Sequence, residues 1–167
     1  MVLGMFIAVL DIQVVASSLG ELQGGLAATA DEISWVQTSY LIGEVIVIPL
    51  SGVLSRWLST RVLFVLSCAG FALASVMCAF AWSLPSMIAV RALQGFLGGA
   101  MIPMVFSVPY RLFPTHQQER CLIVLGLTAT MAPTLGPVIG GWITESFSWR
   151  WIFLINLPAA LLVISGV

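Results

Sequence analysis

An all-α integral membrane protein is the fold class this sequence predicts, and three observations predict it. Of its 167 residues 60% are hydrophobic and only 8% are charged, with a mean hydropathy of +1.09; a soluble domain carries about 25% charged residues. The apolar residues gather into six runs, at about 2–20, 36–54, 62–82, 85–108, 121–143 and 150–167, of the length needed to cross a ~30 Å hydrocarbon core at ~1.5 Å per helical residue. Most ionisable residues lie between the runs, in short connections. The pattern is that of transmembrane helices joined by tight loops.

The same residues exclude several classes. Cys68 and Cys78 fall in one apolar run and Cys121 at the start of another, and no CxxC or His/Cys ligand spacing occurs, so neither a disulfide framework nor a metal site is expected. His116 stands alone in a connection. No GxxxxGK[ST] loop is present, so ATP is not the expected energy source. No cofactor, enzymatic activity or nucleic-acid partner is expected. No charged n-region precedes the first run, so no signal peptide is assigned. The chain opens almost inside the first run and stops within the sixth, and is expected to be a fragment of something larger.

Charge placement predicts orientation. Arg56 and Arg61 lie in the second connection and Arg111 and Arg120 in the fourth; the other three connections hold Arg150 alone. The positive-inside rule then makes those two connections and the N-terminus cytoplasmic. Trp35, Trp82, Trp142, Trp149 and Trp151 lie near the opposite ends, where an interfacial aromatic belt belongs.

In the first run, Gly4, Asp11 and Ser18 share a face through their seven-residue spacing. A bare carboxylate in lipid is expensive, so Asp11 should face protein or water, either to exchange a proton or to brace a neighbouring helix. The second run places Gln37, Tyr40, Glu44 and Ser51 within about 60° of one another. That polar stripe predicts a cavity wall, with Glu44 near mid-membrane as a second proton-coupling candidate. The third run carries only Ser67, Cys68, Ser75 and Cys78 as mild polar positions and is expected to face lipid.

The fourth run reads RALQGFLGGA from Arg91. Arginine stays charged, so Arg91 needs an acid, carbonyls or water, unless it snorkels to the membrane edge; Asp11 and Glu44 are the embedded acids available. Gln94 lies beside it as a further cavity candidate, and Gly95-xxx-Gly99 allows close helix approach. The fifth run holds GLTATMAPTLGPVIGG, Gly126 to Gly141. Gly126, Thr130, Pro133, Pro137, Gly140 and Thr144 fall within about 80° on a helix, so one face is nearly bare of side chain. Gly136-xxx-Gly140, followed by Gly141, adds small-residue spacing, and the prolines favour a bend. A packing seam and nothing more is the bland alternative.

These stretches occur in the order of a known family's motifs. GPxxGG closing a glycine- and proline-rich helix resembles the antiporter motif of the fifth helix in major facilitator superfamily exporters, with Ala132 where a further glycine is common. IAVLDIQVVASSL resembles the LDxxxVxxxL signature of the drug:proton antiporter branch with fourteen spans. RALQGFLGGA resembles the RxxQGxGxA motif of the fourth helix, and SWRWIFLINLP resembles the signature opening the sixth. GVLSRWLSTR, Gly52 to Arg61, resembles the loop between the second and third helices, but Arg56 replaces the usual aspartate and Ser59 the second glycine, so the latch of that loop is not carried over.

The resemblance implies the N-terminal six-helix half of a major facilitator fold, residues 1–167, with the C-terminal half absent. It also implies export of drugs or other small amphipathic compounds by proton antiport in a bacterial inner (plasma) membrane. Asp11, Glu44 and Arg91 would then couple protons, Gln37, Tyr40 and Gln94 would line the cavity, and Gly126, Pro133, Gly136, Pro137, Gly140 and Gly141 would form the antiporter-motif packing face. Relatives in this branch often work with a periplasmic adaptor and an outer-membrane channel. A passive facilitator of the same fold, or an inert truncated product, are the alternatives.

Overall fold

Every predicted apolar run is helical in the computed structural model, which describes residues 1–166; the final residue of the predicted sixth span, Val167, lies outside the described residues. The helices are α1 (Val2–Ser17), α2 (Leu19–Leu26), α3 (Ala30–Leu58), α4 (Thr60–Ala79), α5 (Leu84–Gly99), α6 (Met101–Leu112), α7 (Thr115–Ser146), α8 (Trp151–Leu154) and α9 (Asn156–Gly166). Among the described residues there is no strand. Four helical stretches are long and apolar enough to cross a membrane: α3, α4, α5 with α6 as Leu84–Leu112, and α7. A fifth is added if α1 and α2 count as one span, and Trp151–Gly166 is a shorter apolar segment. Val45, Leu73, Val138, Leu161 and Leu162 are each about two-thirds exposed on the bundle surface, which suits a hydrocarbon solvent and not water.

Backbone chemistry accounts for where the helices depart from the predicted boundaries. The first span ends at Ser17, not residue 20: the chain bends by 66° and continues as α2, so part of the predicted loop 21–35 is helical. α2 stops where Ala27 adopts a left-handed conformation, φ 49°. Thr29 then caps α3, accepting from the Glu32 amide while the Glu32 carboxylate accepts from the Thr29 amide at 3.0 Å, a reciprocal arrangement that satisfies two orphan donors. The second span is accordingly longer at both ends than 36–54. α3 and α4 are separated by Ser59 alone, φ 60° and ψ 148°, a region that glycine occupies far more readily than serine. The fourth span is interrupted at Ala100, three residues before Pro103, and the sixth at Ile155, three before Pro158. In each case proline has no N–H to give the carbonyl four residues earlier, so one rung of the ladder is missing.

Two close helix pairs organise the bundle. A Cβ added at Gly43 would strike the Ala92 carbonyl, one at Gly95 the Tyr40 carbonyl, and one at Gly99 would come 2.8 Å from Glu44 Cα, so α3 and α5 meet backbone to backbone. On the other side a Cβ at Gly136 would strike Gln13, and one at Gly140 would strike Ser17 and come 2.8 Å from the Val14 carbonyl, so α1 and α7 meet the same way. α4 faces lipid on one side only, through Leu66, Leu73 and Met77; its polar positions Ser67, Cys68, Ser75 and Cys78, with Phe64 and Phe71, are buried, because α4 packs on both α5 and α9.

Candidate functional site

A buried polar network joins α1, α3, α4, α5 and α9. Its centre is Arg91, whose Nη1 donates to Asp11 Oδ2 at 2.6 Å and to Gln94 Oε1 at 2.8 Å; both members of the ion pair have fully buried side chains. The α5 sequence explains the approach. Gly95 follows Arg91 by four residues on the same face, and its missing side chain lets the Tyr40 backbone come close. The Tyr40 ring thereby lies under the guanidinium, 4.3 Å from its centroid, with the Phe153 ring at 5.8 Å, a cation–π arrangement that lowers the cost of a buried cation. Arg91 Nε donates to the Val36 carbonyl at 3.5 Å. Arg91 is thus no snorkelling edge residue.

The other carboxylate oxygen is equally occupied. Asp11 Oδ1 accepts from Asn156 Nδ2 at 2.6 Å and from Gln94 Nε2 at 3.4 Å. Ser75 Oγ lies behind both amides, accepting from Gln94 Nε2 at 2.7 Å and Asn156 Nδ2 at 3.1 Å. The Cys78 thiol donates to Gln94 Oε1 at 3.5 Å, and the Tyr40 hydroxyl donates to the Ala8 carbonyl, three residues before Asp11, at 3.3 Å. Among the described residues Asp11–Arg91 is the sole ion pair.

Glu44 is placed differently. It is the midpoint of α3, eight residues further along the helix than Val36, and is 9% exposed. Among the described residues no hydrogen bond or ion pair reaches its carboxylate. Its backbone and Cγ lie against Gly99, so α5 backs it with bare main chain and no donor side chain. Asp11, Arg91, Gln94 and Tyr40 therefore come together, and Glu44 stays apart from them.

The predicted cavity wall on α3 needs correction. Tyr40 and Gln94 have no exposed surface, so they line no open cavity; the α5 glycines bring the two helices too close to leave one. Gln37 is half-buried and donates from Nε2 to the Ile12 carbonyl at 3.4 Å, holding α3 on α1. The bare face predicted on α7 is rotated as well. Gly136 and Gly140, with Ala132, are buried against α1, whereas Pro133 and Pro137 are exposed and Gly126 and Gly141 meet nothing within 4 Å. Three hydrogen-bonding members of the site lie outside the predicted site residues: Ser75, Cys78 and Asn156. Each is a polar residue inside an apolar run, a visible signal, but nothing along the chain says that they meet.

The chain matches the family model of the Major Facilitator Superfamily over residues 1–167. It is similar to the colistin resistance protein EmrB of Acinetobacter baumannii, 47% identical over 163 residues, 98% of this chain and 32% of that protein. It is also similar to the probable multidrug resistance protein EmrY of Escherichia coli, 36% identical over 163 residues, 98% of this chain and 32% of that protein. The fatty acid resistance protein FarB of Neisseria gonorrhoeae is 34% identical over 160 residues, 96% of this chain and 32% of that protein. The chain spans about a third of the length of these relatives.

Proposed function

The chain belongs to the Major Facilitator Superfamily, and on that premise we propose that it is the N-terminal six-helix half of an exporter that moves small amphipathic compounds outward in exchange for protons. The observation that carries the reading is the contrast between its two embedded acids: Asp11 has a partner for each oxygen, and Glu44 has none. A carboxylate held by a fixed guanidinium and two amides is committed to joining the helices that carry them. A carboxylate near mid-membrane with no fixed partner is stable there when protonated, and when ionised it calls for water or a cationic cargo. Glu44 is therefore the proton carrier in this reading, and Asp11 with Arg91 is the brace that holds the helices in register around it.

Relatives named for resistance to colistin, fatty acids and multiple drugs support outward transport and an amphipathic cargo. Four of the six arginines, Arg56, Arg61, Arg111 and Arg120, lie at one end and five of the six tryptophans at the other, which supports a cytoplasmic N-terminus, and the bacterial relatives support a bacterial plasma membrane. A periplasmic adaptor and an outer-membrane channel are the partners this reading adds. The test is uphill export in proteoliposomes of the full-length transporter under an imposed pH gradient. Glu44→Gln should lose at least about tenfold in uphill rate, roughly 1.4 kcal/mol of coupling, while drug binding is retained. Undiminished proton-coupled extrusion by Glu44→Gln would reject Glu44 as the carrier. A wild type that only equilibrates its cargo would make the protein a passive facilitator.

A further inference from the structure

We propose that Asn156 is the positioning residue of the buried ion pair: its amide fixes the second oxygen of Asp11, so that the first stays on Arg91 and the sixth span is tied to the first and third. Three observations support this. Asn156 is 2% exposed and gives its Nδ2 to Asp11 Oδ1 at 2.6 Å, as short as the ion pair itself, and to Ser75 Oγ at 3.1 Å. Gln94, the other donor to Oδ1, stands at 3.4 Å and already serves Arg91 and Ser75. Asn156 also opens α9, directly after the interruption at Ile155 that Pro158 leaves in the helix.

The geometry gives the role its physical content. An ion pair at the end of a carboxylate can swing about the χ2 torsion, which is broad for aspartate. With Oδ1 pinned, the carboxylate plane is set and Oδ2 points at Nη1. Asn156 reaches Asp11 across 145 positions of sequence and is the hydrogen-bonding link from the sixth span to the charge pair, beside the Phe153 ring that faces Arg91. Because a rung of the ladder is absent just before it, this link supplies the registration that the helix itself does not.

The role is testable because a carboxylic acid keeps the shape of asparagine and donates a hydrogen bond only when protonated. The titratable group bonded to the position is Asp11 on α1; one contact further out lie Arg91 on α5, paired with Asp11, Tyr40 on α3 under Arg91, and Cys78 on α4 bonded to Gln94. Thermal unfolding of the full-length transporter in detergent is measured from about pH 8 to about pH 5. Asn156→Asp should unfold well below the wild type at the high end and recover most of the difference at the low end, where the introduced carboxyl donates to Asp11. Asn156→Leu, similar in volume but without a donor, should stay low by about 4 °C or more across the range.

Pairing each variant with Asp11→Asn, which removes the charge to be positioned, should abolish the pH-dependent recovery. An Asn156→Leu variant as stable as wild type, or an Asn156→Asp variant whose deficit is the same at both ends of the range, would overturn the assignment. Should Asn156→Asp fail to insert, Ser75→Ala provides the second route. It should lower the midpoint alone, and add less than its own effect to Asn156→Leu when the two are combined, because only its bond to Gln94 is then left to lose; full additivity would overturn the proposal. The consequence for export rests on the proton-coupled reading above, but the unfolding measurements do not. Loss of that reading would show as a wild type without proton-driven export, with the Asn156 unfolding series unchanged.

Discussion

Asp11 and Glu44 are both carboxylates set in apolar helices, and their surroundings could hardly differ more. Asp11 is held by Arg91, Asn156 and Gln94, with Ser75 bridging the amides and Tyr40 covering the guanidinium. Glu44 has the Gly99 main chain on one side and no polar partner among the described residues. The comparison separates two uses of buried charge. A buried, hydrogen-bonded charge pair fixes geometry, because breaking any member strands the others in a low dielectric. A partnerless acid contributes little to the fold, and its energy depends on its protonation and on whatever approaches it.

Breaking the network should have the largest effect. Asp11→Leu leaves Arg91 buried without a counter-charge and is expected to lose about 3–5 kcal/mol of stability, read by denaturant or thermal unfolding in detergent. Arg91→Leu should lose a similar amount, and the Asp11→Leu/Arg91→Leu pair should lose distinctly less than the sum. Simple additivity would mean that the two side chains do not stabilise one another, and the contrast with Glu44 would collapse.

Next in size are the seams that hold each acid in place. Gly99→Leu drives a side chain into Glu44 and its helix, and Gly140→Leu drives one into Ser17 and the Val14 carbonyl beside the Asp11 helix. Each should lose at least about 1–3 kcal/mol by overpacking and abolish export by the full-length transporter while membrane insertion persists. If Gly140→Leu exports normally, the α1–α7 contact is not maintained in the working protein.

A smaller effect of opposite sign is expected at the end of the Glu44 helix. Ser59 holds a backbone conformation that suits glycine, at the modest benefit of a 3.4 Å bond from the Val62 amide to its Oγ. Ser59→Gly should therefore stabilise by about 1 kcal/mol and leave export unchanged, a control showing that global stability and coupling are separable. Smallest of all should be the effect of Glu44→Gln on stability, within about 0.5 kcal/mol, even though the same change is expected to cost uphill transport. A large destabilisation by Glu44→Gln would mean that the residue is structural like Asp11, and the division of labour between them would fail.

Composition and pattern alone determined the membrane class, the six apolar segments and which residues deserved suspicion. A charge such as Asp11, Glu44 or Arg91 inside a hydrocarbon-length run is conspicuous wherever it packs, and the transfer cost that makes it conspicuous is a property of the residue and its neighbours in sequence. The pairing was not legible there. Arg91 had two acids available, and the choice of Asp11 follows from α5 lying against α3 through Gly43, Gly95 and Gly99, which brings Arg91 to the first helix and turns Glu44 against bare backbone. Nor could helical spacing show that Ser75 and Asn156 would close the network from α4 and α9, that Tyr40 and Gln94 would be sealed, or that α7 would present Ala132, Gly136 and Gly140 to its neighbour instead of Pro133 and Pro137. Periodicity places side chains on the faces of one helix; which face meets which is decided by the fit of ridges to bare backbone between helices far apart in sequence, and that fit exists only in the folded bundle.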